Sequence, residues 1–278
     1  MYIHAAIASF GASADPAPGI DLVPRSMARR MGPALRRSVG CALAALKAAG
    51  IERPDAIYFG TGLGCLADTR EFLEEIDRNA GSTLSPTSFM RSTHNTVPGL
   101  IALAIKAVGP NLTFSQGLLS FHAALLNATL HVERDPDHMV LVGAADEHLP
   151  LLDALAGALP DVALPEGAVL SEGAAFLVVS GRSNEARTCI REAWVGAAEQ
   201  LTARMNMTGK ILTGPVLDGR PPIDPSGEPY ALRTGLHQSA PALALVIAHD
   251  ELPAQEHSRT HIIDRAGERC GLITVERC

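Results

Sequence analysis

Aromatic side chains are scarce in this chain. Phe, Tyr and Trp make up 4% of 278 residues, with a single tryptophan, which leaves little for stacking nucleic-acid bases. Positive charge is also in short supply. The 30 acidic residues outnumber the 23 basic ones, for a net charge of −7, and this argues against a nucleic-acid partner. No run of about 18 apolar residues is free of charges or breakers, so no transmembrane helix is expected. The five cysteines, Cys41, Cys65, Cys189, Cys270 and Cys278, are odd in number, scattered and without a CxxC. That pattern points to a reducing cytosol and to no structural zinc. The apolar start, 1–10, has no basic stretch before it and no clear small-residue cleavage site, so it reads as a first strand and not as a signal peptide. No internal repeat of 20–50 residues and no low-complexity tract is visible.

What is present is apolar mass. Apolar residues make up 47% of the chain, enough to bury a large core in one or two domains. Residues 1–10 read as a strand closed by Gly11. A helix is expected over 26–49, with Leu35, Val39, Ala42, Leu43 and Leu46 on one face and Gly50 as its stop. A buried strand over 55–59 runs into the turn Gly60-Thr61-Gly62-Leu63-Gly64. Helices are expected over 67–78, 97–108 and 118–133, and strands over 112–115, 139–142, 170–180 and 188–195. Alternation of this kind predicts an α/β layered domain with a mainly parallel sheet. Past 196 the pattern weakens into a Pro-, Gly- and Asp-rich loop over 213–228. An apolar helix over 240–251 and a last strand over 271–276 follow.

The individual motifs have plain readings. The glycine-rich turn lies between strand and helix but matches neither a dinucleotide fingerprint nor a Walker loop, and no lysine follows, so a tight β–α turn is expected. Asn95 suits a helix cap, and His94 beside it either lines a site or is structural. His122 on an apolar helix is by default a satisfied core histidine. No HExxH or comparable ligand spacing joins the histidines, and no metal site or cofactor is expected. Cys65 reads as a small buried residue. Ser120 lacks the glycines of a nucleophile elbow. Arg29, Arg30, Arg36 and Arg37 form a basic cluster that either meets an acidic partner or is a solvated helix face.

Five segments in order carry a resemblance. They are Arg29-Arg30-Met31 with Ala48-Ala49-Gly50-Ile51; Ile57-Tyr58-Phe59-Gly60-Thr61-Gly62; Phe89 and Asn95 with the helix to Gly109-Pro110-Asn111; Val142-Gly143-Ala144-Ala145-Asp146; and Leu170-Ser171-Glu172-Gly173-Ala174-Ala175. Together they resemble the N-terminal half of β-ketoacyl synthases, in the thiolase superfamily. The resemblance implies a thiolase-like layered α-β-α-β-α fold with a shortened C-terminal half, divided into a ketosynthase-like region, 1–198, and a shortened region, 199–278.

The same resemblance locates a loss. In the family the nucleophilic cysteine lies seven residues past the N of G-P-N and about 25 before the first glycine of A-G-G-A-E. Seven past Asn111 is Leu118, and 25 before Gly143 is again Leu118. A leucine carries no nucleophilic atom, so the acyl thioester cannot form. The family's two histidine motifs, P-T-H-G-T-G-T and a later G-H, are absent too. His237, His249, His257 and His261 stand in other contexts. What the resemblance implies is a non-catalytic, chain-length-factor-like subunit, similar to the cysteine-less proteins of aryl polyene and flexirubin-type pigment clusters. Its expected partner is an active ketosynthase in a cytoplasmic heterodimer. Acyl carrier protein would be met through that partner. The strand 112–115 is expected at the subunit interface, with Phe114, Leu118, Leu119 and Phe121 lining or blocking the acyl tunnel. Two rivals remain. One is a diverged acyltransferase or hydrolase using Ser115, Ser120 or Cys65 with His94 or His122. The other is a homodimeric scaffold that binds a carrier protein.

Overall fold

The computed structural model describes residues 1–11, 16–79, 83–158, 166–201, 203–204, 208–215, 224, 226–252 and 259–278. Strand β1 (Tyr2–Phe10) leads to a short helix α1 (Arg25–Ala28) and then to α2 (Pro33–Ala48). The one helix expected over 26–49 is therefore two. Gly32 is extended, with φ −64° and ψ 168°, because a proline crowds the residue before it out of the helical region while suiting the first helical position itself. The far end of α2 closes as expected. Gly50 has φ +70°, and the Ile51 N–H returns to the Leu46 carbonyl at 2.9 Å.

Strand β2 (Ala56–Gly60) is followed by helices α3 (Leu66–Arg78), α4 (Pro86–Arg91) and α5 (Thr96–Ile105). Helix α5 stops short of the expected residue 108. Lys106 turns left-handed at φ 56°, and the Ala107 N–H bonds back to Ala102 at 3.0 Å. Then come β3 (Asn111–Phe114), α6 (Ser120–Arg134), β4 (Val140–Asp146), α7 (Pro150–Ala158) and β5 (Gly173–Ser180). The rest comprises β6 (Thr188–Ala197), β7 (Lys210–Thr213), β8 (Glu228–Pro229), α8 (Ala231–Thr234), α9 (Ala240–Glu251), β9 (Arg259–Ala266) and β10 (Arg269–Arg277). The loop expected over 213–228 touches β7 and β8 at its two ends, and 216–223 and 225 lie outside the described residues.

The ten strands among the described residues form one sheet, in the order β3-β2-β4-β5-β1-β6-β10-β9-β7-β8. In the first half β2 runs parallel to β3 and β4, while β5 is antiparallel to both β4 and β1. The second half repeats this pattern. Strand β7 runs parallel to β8 and β9, while β10 is antiparallel to both β9 and β6. The sheet is therefore mixed and not mainly parallel as expected. The antiparallel strand of each half returns through a connection that needs no crossover helix. The clearest case is the β9–β10 hairpin, turned at Gly267 with φ 62°. The period of this repeat is half the chain, well beyond 20–50 residues.

The sheet bends around a central helix pair. Helix α6 packs on β2 and β4 and also on β6 and β10, and α9 packs on β1 and β5 and also on β9 and β10. Between them lies a core that includes Phe121, Leu125, Leu177, Leu243, Leu245 and Ile273. Helix α9 is buried from Ala240 through Ala248, as a helix without a polar side must be. A second core, with Leu35, Val39, Phe59, Ile101 and Phe176, lies under α2 and α5 on the outer face of the first half. The outer face of the second half carries a small cluster, Leu201, Ile263, Cys270 and Leu272 with Trp194. Among the described residues no helix like α2 lies between β6 and β7. This is the layered α/β fold with its shortened second half.

Gly60 sets how closely α6 approaches the sheet. A Cβ there would stand 2.7 Å from the Phe121 nitrogen and from the Ser120 carbonyl carbon, backbone atoms that cannot swing away. Gly60→Ala should cost about 1–3 kcal/mol, the range for overpacking, read as a lower urea midpoint. A wild-type midpoint would show that the helix does not need this approach.

Candidate functional site

The turn from β3 into α6 is built from small hydrogen-bonding parts. Gly117 has φ 56°, a conformation glycine adopts without a Cβ penalty. The N–H groups of Leu119 and Ser120 bond to Gln116 and Gly117, each at 3.1 Å. The Ser120 hydroxyl donates toward the carbonyls of Gly117 (2.6 Å) and Thr61 (3.0 Å) and accepts the Gln116 N–H at 2.8 Å. Leu118 follows the glycine and is buried, as are Leu119 and Phe121. A side chain at 118 sits just ahead of the first turn of a 15-residue helix, where the helix dipole would lower a thiol's pKa. The position suits a reactive cysteine, and the residue there is a leucine.

The surroundings are shared by both halves. Gln238, just before α9, has its Cβ 2.3 Å from where a Gly62 Cβ would be, and its Oε1 lies 3.6 Å from the equivalent point on Gly117. Helix α9 is entered much as α6 is. Gly235 has φ 71° and is followed by the buried Leu236. Beneath the glycine-rich turn, the Asp146 carboxylate accepts Thr61 Oγ1 at 2.7 Å and the N–H groups of Gly62 (3.0 Å) and Leu63 (2.9 Å). Burial pushes its pKa up against these bonds. The amides that a phosphate would need are already taken, so the turn is structural.

The remaining sequence candidates are dispersed. Phe114 is half-buried, packs against the central core and has its ring 6.5 Å from Tyr58. Leu112 of β3 is 47% exposed, and Asn111 beside it is exposed too. Ser115 and His94 are exposed, and the Ser120 hydroxyl is committed to backbone. Burial pushes the Cys65 thiol up to about 12, with Asp68 and Glu147 adding to the effect, so it stays protonated. Arg37 pairs with Glu172, and the Arg36 Nε donates to Met31 at 2.9 Å. Half of the basic cluster is therefore engaged within the chain.

His122 is fully buried, and it has a partner that the sequence does not reveal. Its Nε2 lies 3.3 Å from Asp264 Oδ2 on β9, and the Tyr230 hydroxyl donates to Asp264 Oδ1. A Cβ on Gly271 of β10 would come within 2.3 Å of the imidazole. Burial drives His122 down to about 3 and Asp264 up to about 7. Between those values the pair is a neutral imidazole against a protonated carboxyl, which is the cheap form for a dry site. Native Asp264 thus keeps a proton that an unfolded carboxyl loses above about 4. Its stabilising contribution is full below that value and is lost as pH rises to about 7. Asp264→Asn, uncharged at every pH and still able to accept the Tyr230 hydroxyl, should gain stability relative to wild type between pH 4 and 7 and hold it above. Urea midpoints that run parallel across that range would refute the assignment.

A ten-stranded sheet in two matching halves, closed around paired central helices with a glycine turn at the head of each, defines a thiolase-like α/β protein. The chain belongs to the β-ketoacyl synthase family: the family's N-terminal domain matches residues 5–213. Among solved structures it is similar to AntDE:AntF, a type II polyketide synthase acyl-carrier protein in complex with its ketosynthase bound to the hexaketide. That likeness has a TM-score of 0.75 and 14% identity, and covers 100% of this chain and 99% of the other. The ishigamide ketosynthase/chain length factor matches with a TM-score of 0.67 and 16% identity over 91% of this chain and 83% of the other. The ketosynthase ApeO in complex with its chain length factor ApeC, from Xenorhabdus doucetiae, matches with a TM-score of 0.53 and 17% identity over 90% of this chain and 81% of the other. No curated protein matches at the sequence level.

Proposed function

We propose that this chain is a non-catalytic, chain-length-factor-like subunit that pairs with an active β-ketoacyl-carrier-protein synthase. The observation that carries the reading is Leu118, an inert, buried side chain just ahead of a 15-residue helix, at the position the sequence resemblance assigns to the nucleophile. Condensation requires a thiol to hold the acyl chain, and no nearby group substitutes for it. Ser120 is locked to backbone, the Cys65 thiol is held protonated, and His122 faces Asp264. Ketosynthase/chain length factor assemblies among the structural neighbours support the choice of partner. Acyl carrier protein would reach the complex through the active subunit. The work would be elongation of a fatty-acid- or polyketide-type chain in the cytoplasm. Within that class we favour the aryl polyene pathways implied by the sequence resemblance.

The exposed edge of β3 is the natural seat for the partner. It ends the sheet, so among the described residues its outer N–H and C=O groups have no strand neighbour. Co-expression with a ketosynthase encoded beside it should give a stable complex that makes β-ketoacyl product, while this chain alone yields neither product nor covalent acyl adduct. Leu112→Asp should leave the fold intact and weaken the complex by about 3 kcal/mol or more, because a charge would be buried without a partner. Recovery of a homodimer alone would favour the scaffold reading, and a stoichiometric acyl adduct would favour an enzyme.

Leu118 and Leu119 come a few residues past the edge strand and would form a wall of the partner's tunnel. Leu118→Ala in the co-expressed complex should shift the product distribution toward longer chains with the complex preserved. Leu118 is the better probe. Phe121 is fully buried in the central core, where truncation to alanine costs about 3–5 kcal/mol. An unchanged distribution would leave this chain a stabilising partner with no say over length.

A further inference from the structure

The base of α6, at the opposite end from Leu118, holds a cluster that the pairing function does not use. His131 in the last turn of α6 is buried, and its Nε2 lies 2.9 Å from Nδ1 of His138 in the loop leading to β4. One ligand atom each from His131, Asp135 and His138 falls within 4.8 Å of the others. From these contacts we infer that the three residues form a divalent transition-metal site, of the kind that takes Zn²⁺ through two imidazoles and one carboxylate.

Three features support this. First, the donors sit at i, i+4 and i+7, so one helical turn stacks His131 on Asp135, and the loop brings His138 back over them. The backbone fixes that return. The Asp135 N–H bonds to His131 O at 2.9 Å, and the His138 N–H bonds to Asp135 O at 3.1 Å. Second, His131 is already oriented as a ligand. Its Nδ1 lies 2.9 Å from the Tyr58 hydroxyl, and such a bond on the far nitrogen sets the tautomer that turns the Nε2 lone pair inward. Third, the spacing is right. Donors around a tetrahedral Zn²⁺ stand about 3.3 Å apart for the usual bond lengths, so the imidazoles part by a few tenths of an ångström and the carboxylate moves in.

Two imidazole nitrogens at hydrogen-bond distance must share a proton. When the cation takes that place, the shared hydrogen moves to His138 Nε2, so both facing nitrogens offer lone pairs and both imidazoles stay neutral. Asp135 must also let go of Arg134 Nε, now 2.8 Å away. That pair is solvent-exposed and its loss costs little. His138 and Asp135 are both half-exposed, which leaves a path for the ion and a fourth position for water. Imidazole donors select zinc, cobalt or nickel over magnesium or calcium.

The test uses the full-length protein without an affinity tag, stripped with a chelator. Zn²⁺ is titrated calorimetrically, and Co²⁺ is followed by its visible ligand-field bands. Wild type should bind one equivalent and melt at a higher temperature with Zn²⁺. His138→Ala changes a half-exposed loop residue and should fold normally, but should bind Zn²⁺ at least about 100-fold more weakly and lose the Co²⁺ bands. Tyr58→Phe keeps all three ligands and should weaken binding by about 10–100-fold, the range for an outer-shell partner. No uptake by the wild type would overturn the inference. So would uptake that His138→Ala leaves unchanged, since the ion would then sit elsewhere.

Discussion

The two halves of the sheet share a very short seam. Strands β1 and β6 pair through Tyr2↔Cys189 and Ile3↔Thr188, with the Ile190 N–H bonding to Met1 O just beyond. A few hydrogen bonds, each contributing about 1 kcal/mol net, cannot fix the angle between two five-stranded layers. The central helices must do it. Leu243, Leu245 and Ile247 on α9 and Phe121 and Leu125 on α6 are buried, at about 1.5–3 kcal/mol for each large side chain taken from water. Both helices touch strands of both halves, so neither half can complete its inner face alone. The close approaches at Gly60 and Gly271 follow from this constraint, since the helices must sit near enough to serve two layers at once.

The polar inclusion of His122, Asp264 and Tyr230 belongs to the same layer. It links α6 to β9 and to the residue ahead of α8, and it is tolerated because both titratable groups are held toward their neutral forms. The turn at Leu118 hangs from the same helix. Its shape depends on Gly117, on the Ser120 hydroxyl and on the missing Cβ of Gly60, and not on the side chain at 118. The turn thus stands without a nucleophile at 118.

Much of this is legible in the residues. Position 118 draws attention because two anchors on either side of it, Asn111 and Gly143, point to it without a gap, and the proposed function rests on that reading. The buried strands and α9 stand out because continuous apolar runs bounded by glycine have few alternatives. The break between α1 and α2 is written in Gly32-Pro33, although amphipathic spacing across 26–49 masks it. The mixed sheet is harder to see. Strand direction depends on which neighbour a strand finds, and β5 and β10 look like any other buried strand. The His122–Asp264 contact joins residues 142 positions apart, and no local pattern announces it. The His131, Asp135 and His138 group is concealed differently, because its third member comes from a loop and completes no familiar spacing.

The two rims of the sheet are unlike each other. Strand β8 at one end is Glu228–Pro229, and its proline has no N–H to offer. Strand β3 at the other end has four residues and no proline. A molecule with one receptive rim and one blunt rim cannot add copies of itself from both sides. Strand addition at β3 would therefore stop at two subunits and not run on into a fibre.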